Sequence, residues 1–156
     1  MRPSWFLWSF AATIVLTTLL AMSQSSRLTR MNIPYLLGTM FTSNRERAKV
    51  YGFLVHLVNG FVFALIYVAA FRAWGGATIV RGIAIGSVHA LFVLAVGLPM
   101  LPGLHPRMAS ETSGPSALRQ LEPPGFFGVH YGWPTPVSVV VGHIVYGGIL
   151  GAFIEI

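Results

Sequence analysis

The sequence predicts an all-α membrane protein, a four-transmembrane-helix bundle built from two similar helical hairpins. Three observations predict it. Hydrophobic residues form 54% of the 156-residue chain and charged residues only 9%, with a mean hydropathy of +0.70; a soluble domain carries about 25% charged residues. Four stretches, 5–22, 50–71, 78–101 and 137–154, approach or exceed the roughly 20 apolar residues that cross a bilayer. The second and fourth share a pattern: His56-Leu57-Val58-Asn59-Gly60 is followed four residues on by Ala64, and His143-Ile144-Val145-Tyr146-Gly147 by Gly151. The whole chain, 1–156, is then one transmembrane domain of two hairpins that enter the membrane in the same orientation, related by an axis along its normal.

The first span lies in "MRPSWFLWSFAATIVLTTLLAMSQSS", whose basic start, apolar centre and small residues are also those of a secretory signal. Its apolar run is longer than a signal core, so a retained helix is expected, with Trp5 and Trp8 as interfacial anchors. Ser9, Thr13 and Thr17 form a hydroxyl stripe along one face. The first loop, 25–49, contains "MNIPYLLGTMF", too interrupted to span and too apolar for a solvated turn, which predicts a short interfacial helix after Pro34. "SNRE" then fits a capping box, with Ser43 as cap and Glu46 reaching back, so that the second helix starts near Asn44.

Within the spans, small residues recur every fourth position. Gly52, His56, Gly60 and Ala64 share a face, as do Gly82, Gly86 and Ala90, and His143, Gly147 and Gly151. In lipid such faces let helix backbones approach closely. Their plain use is internal packing; a second use is docking, because four helices carry more small-residue surface than one bundle core requires.

The third loop, 102–136, holds seven of the ten prolines, and a loop of that length is commonly functional or disordered. Arg107, Glu111, Arg119 and Glu122 are expected to pair within it, and Phe126, Phe127, Tyr131 and Trp133 to pack at the interface. Basic residues set the topology. Arg2, Arg72 and Arg81 fall on one side, and Arg27, Arg30, Arg45, Arg47, Lys49, Arg107 and Arg119 on the other, which makes loops one and three cytoplasmic and both termini external. The net charge of +6 is a topology signal beside the membrane rather than a nucleic-acid surface, so no nucleic-acid partner is expected.

The order of a Thr-rich first span, "GFLVHLVNGFVFALIY", "GLPMLPGLHPRMASE", "RQLEPPGF" and the terminal "GHIVYGGILGAF" resembles a family of small, uncharacterised bacterial four-helix membrane proteins, distantly YagU-like. The resemblance covers most of the chain. It implies the four-helix architecture and a bacterial cytoplasmic (inner) membrane, and it brings no catalytic residues with it.

Chemistry must rest on few groups. Without cysteine there is no disulfide, haem thioether, thiolate metal site or thiol nucleophile. The four acids form no evident catalytic pair, and no hydrolase, zinc-protease or phosphate-cradling motif occurs, so an enzyme is not expected. His56 and His143 have two readings. Each ring bonds a backbone carbonyl or a nearby hydroxyl, Thr17 or Ser87, and holds the bundle together; or the two face each other and ligate a b-type haem, each with a glycine four residues on to make room. No cofactor is the plainer expectation. His89, nearer the middle of its span, joins His56, Asn59 and His143 in a candidate polar relay. Met100, His105 and Met108 are ligand types that suit copper, but the prolines around them leave their geometry open. The leading expectation is a non-catalytic accessory or structural subunit of a membrane assembly, or a homo-oligomer, in contact with the lipid bilayer. The alternatives are a proton or small-solute conduit and a bis-histidine haem electron carrier.

Overall fold

The computed structural model describes residues 4–110 and 112–156. These form α1 (Ser4–Ser25), α2 (Ile33–Gly38), α3 (Arg45–Ala73), α4 (Ile79–Phe92), α5 (Leu98–Leu104) and α6 (Thr135–Phe153). A π-helical turn, Val93–Gly97, joins α4 to α5, and a 3-10 segment, Phe126–Tyr131, precedes α6. Residues 79–104 run on as one apolar rod, so that with α1, α3 and α6 four helices are long and apolar enough to cross a membrane. The surface agrees with that solvent. Val58, Val62 and Ile66 on α3 and Val80, Val88 and Leu91 on α4 are exposed, while Ser9, Thr13, His89 and His143 are buried; such extensive exposed apolar surface is foreign to a soluble monomer.

Each helix end has a local cause. Asn32 caps α2 by accepting the Tyr35 N–H, with Pro34 in the first turn where its missing N–H costs nothing. Asn44, rather than the expected Ser43, caps α3 by accepting the Arg47 N–H. Glu46 does not reach back to close a capping box but pairs with Lys49 at 2.9 Å one turn on. Thr78 caps α4. The π turn sits just ahead of Pro99, whose ring would meet the carbonyl four residues back in a regular helix. The Leu98 N–H bonds the Val93 carbonyl, five residues back, and the widened turn admits the proline without ending the rod.

α6 is the middle of the bundle: it packs along α4 on one side and α1 on the other, α1 in turn packs on α3, and the backbones of α3 and α4 scarcely approach. Glycines set these distances. A Cβ on Gly82 would overlap the Gly147 carbonyl and one on Gly147 the Gly82 carbonyl, while Gly86 lies against the His143 carbonyl and Gly151 against that of Thr78. Gly60 meets the Thr13 side chain, and Gly52 meets Pro34 and Gly38 of α2. Each of the six packing glycines named from the sequence thus touches another part of this chain.

The two long loops cap the same end. The Arg30 backbone N–H donates to the Tyr131 carbonyl at 2.7 Å, its guanidinium pairs with Glu122 at 2.9 Å and also donates to the His130 carbonyl. Arg107 donates to the Thr39 carbonyl at 2.5 Å, and among the described residues the Arg119 guanidinium donates to the Met108 carbonyl, at 3.5 Å. Glu122 and Arg107, expected to pair inside the third loop, thus reach across to Arg30 and Thr39 of the first; the share of Glu111 in that expected pairing lies outside the described residues. Of the loop aromatics Tyr131 is buried, its hydroxyl donating to the Glu122 carbonyl at 2.6 Å, whereas Phe126 and Trp133 stand exposed.

Candidate functional site

Because α3 and the third span diverge, an apolar cavity of about 230 Å³ opens between them, walled also by α1, α6 and the first loop. The polar side chains in its wall are His56, Asn59, His89, His143 and Tyr146. The structure therefore gathers the four residues of the candidate relay on one internal surface. Leu16, Leu20, Met31, Leu36, Phe63 and Leu98 supply much of the rest. Asn59 and Phe92 both line the cavity and are exposed, which puts its mouth in the groove between α3 and the third span, on the lateral surface of the bundle.

Hydrogen bonds orient the rings. With the Thr17 hydroxyl on α1 donating to the Thr13 carbonyl at 2.7 Å, the same oxygen accepts from His56 Nδ1 at 2.9 Å. His143 Nδ1 lies 2.8 Å from the Val139 carbonyl, one turn back on its own helix, and a carbonyl cannot donate. Both imidazoles are consequently Nδ1-protonated, and each carries its lone pair on Nε2. His89 differs. Its Nδ1 is 3.3 Å from the Tyr67 hydroxyl; among the described residues the buried Tyr67 proton has this acceptor alone, so Tyr67 donates and the His89 proton resides on Nε2.

The rings also touch. His89 stacks on Phe63 with centroids 3.9 Å apart and stands edge-on to His143 at 4.6 Å. Tyr146, the counterpart in the repeated pattern of Asn59, donates to the Gly60 carbonyl at 2.6 Å and ties α6 to α3 across the cavity floor. Of the two hydroxyls named as partners from the sequence, Thr17 holds His56, whereas Ser87 bonds its own helix at the Ile83 carbonyl and is exposed. The ring packed edge-on against His143 is His89.

The sequence reading missed Phe63 and Gly97 as parts of this wall, and Tyr67 behind it as the partner of His89. An aromatic at helical spacing is indistinguishable from a lipid-facing one until the neighbouring helix is placed. The Met100, His105 and Met108 group does not assemble: Met100 is exposed, Met108 is buried, and both His105 nitrogens are engaged, Nδ1 accepting from the Arg107 N–H at 3.1 Å and Nε2 directed at the Leu36 carbonyl at 3.0 Å. Among the described residues no set of three His, Asp or Glu side chains is placed to hold a metal ion. No family model matches the chain, and comparisons with curated proteins and with solved structures found no match.

Proposed function

We propose that this chain is a non-catalytic integral membrane protein, built of two hairpins in a bacterial inner membrane with loops one and three cytoplasmic, that holds a lipophilic molecule in its histidine-lined cavity. One observation carries the reading. Three histidines and an asparagine, costly to place at membrane depth, converge on an apolar cavity that opens sideways, where a membrane-dissolved molecule enters without crossing water. Among the described residues no carboxylate stands in the wall, so a guest there meets neutral polar groups in an apolar surround. An accessory-subunit role needs a docking surface other than the packing glycines, all of which are engaged internally.

Gly97 provides the test. It lines the cavity, its helical φ of −59° suits any residue, and an added Cβ meets nothing within 4 Å. Gly97→Leu should therefore fill the cavity without moving a helix. Native mass analysis of gently extracted protein is expected to show a retained small lipophile on the parent chain and none on Gly97→Leu. A parent chain free of any guest, or equal retention by the variant, overturns the reading.

A second reading, a proton or polar-solute relay through His56, His89 and His143, is favoured by the 4.6 Å contact between the last two rings. In proteoliposomes, His89→Phe would then abolish flux; a flux unaltered by the substitution removes this reading.

A further inference from the structure

We propose that the guest's head group is a hydroxyl, borne by a lipophilic phenol or alcohol, which donates to His143 or His56 and accepts from His89. The inference rests on the cavity reading above and adds the chemistry of recognition. It follows from how the protons are distributed around the wall.

His56 and His143 present Nε2 as an acceptor, because Thr17 and the Val139 carbonyl already take their Nδ1 protons. His89 presents Nε2–H as a donor, because Tyr67 donates to its Nδ1. Among the described residues none of these three Nε2 atoms has a protein partner, none is sealed from open space, and all three rings belong to the cavity wall. Asn59 adds an amide that forms no side-chain hydrogen bond among the described residues and stands at the mouth. The wall therefore asks for a group that gives one proton and takes another at neighbouring points, since His89 and His143 are in edge contact.

Few head groups comply. A carboxylate, an ether or a ketone has no proton for His143 or His56; an ammonium has no lone pair for His89. A hydroxyl has both. Mismatch is expensive in this setting, because a buried donor or acceptor left without a partner loses its solvation with nothing in return, and a site built to bond a hydroxyl rejects analogues lacking it far more strongly than a greasy pocket rejects an extra methylene. Size is consistent. An apolar cavity of about 150 Å³ accepts benzene, so 230 Å³ holds a ring or a short branched chain, and the tail leaves by the mouth between Asn59 and Phe92 into lipid.

The probes are 4-octylphenol, its methyl ether 4-octylanisole, dodecan-1-ol and dodecanoate, each equilibrated with the full-length protein in phosphatidylcholine nanodiscs and measured as binding above empty discs. The phenol or the alcohol, whichever matches the natural source, is expected to bind at least about tenfold tighter than the ether and the carboxylate, and Gly97→Leu to lose that binding. Replacing His143 by Phe removes one acceptor and should shrink the preference of phenol over ether several-fold. Ether or carboxylate binding as tightly as the hydroxyl probes overturns the head-group assignment while leaving the cavity reading intact. Failure of every probe to bind overturns the cavity reading itself and leaves water as the partner of the three nitrogens. The probe comparison on the parent chain stands even if the His143→Phe chain fails to fold.

Discussion

A threonine decides what His56 can do. In water the Thr17 hydroxyl would donate and accept freely, but on α1 its proton is committed to the Thr13 carbonyl, a back-bond common for hydroxyls inside helices. That commitment makes it the acceptor for His56 Nδ1, fixes the His56 tautomer and ties α3 to α1. Thr17→Val keeps the shape and removes the acceptor, leaving the Nδ1 proton of His56 unpaired. Unfolding of the parent chain, Thr17→Val, His56→Phe and the double variant forms a cycle whose coupling is expected at about 0.6–2 kcal/mol. A coupling indistinguishable from zero would mean that the 2.9 Å contact does not hold the two helices. The same residue shows the limit of sequence reasoning: Thr17 and Ser87 were equal candidates by composition, and only the packing of α1 against α3 chose between them.

At the scale of the element, adjacent glycines on α6 have opposite duties. Gly147 faces α4 so closely that a Cβ would overlap the Gly82 carbonyl, a rigid backbone atom that yields only if the helices separate. Gly148 points aside, where a Cβ would meet Ile83 at 3.7 Å, an ordinary van der Waals contact. Gly147→Ala is therefore expected to destabilise the bundle by about 1–3 kcal/mol, the usual cost of overpacking. Gly148→Ala should be neutral or slightly stabilising, because alanine exceeds glycine in helix propensity by about 1 kcal/mol. Thermal unfolding of the two variants side by side checks this, and equal effects would contradict the assigned face. The spacing of four already marked Gly147 and Gly151 as one face; which helix they meet was not legible, since α1, α3 and α4 all carry matching small residues.

Across the whole molecule, the loop cap links the first half of the chain to the second, and His105 is its pivot. One ring nitrogen accepts from the Arg107 N–H and the other is directed at Leu36 and Thr39 of the first loop. Burial holds its pKa below the ordinary 6.5, and nearby Arg107 pushes the same way, while the bond to the Leu36 carbonyl opposes both. The folded chain thus binds this proton less readily than the unfolded one. The stability contributed by the neutral ring is fully present above about pH 6.5 and is lost as pH falls below that value toward the lowered folded pKa. The melting temperature should accordingly decline on acidification through this window, and His105→Gln, which cannot titrate, should flatten that part of the profile. An unchanged slope would show that the cap does not depend on the neutral ring. The exposed Arg30–Glu122 pair beside it is a lesser contributor, worth about 0–1 kcal/mol.

What the amino-acid order determined by itself was the class of the protein: four apolar runs of bilayer length, a short helix in the first loop announced by Pro34, and faces of small residues at every fourth position. These are local properties, set by side-chain solvation and by the 3.6-residue period. The tertiary structure alone decided that α6 takes the centre, that the packing glycines are all engaged internally, that the two loops pair with each other, and that His89 turns its edge to His143. These depend on which helix lies beside which. Between apolar helices in lipid, the hydrophobic effect expresses no preference among neighbours, and the choice falls to close packing and single hydrogen bonds between residues far apart in the chain.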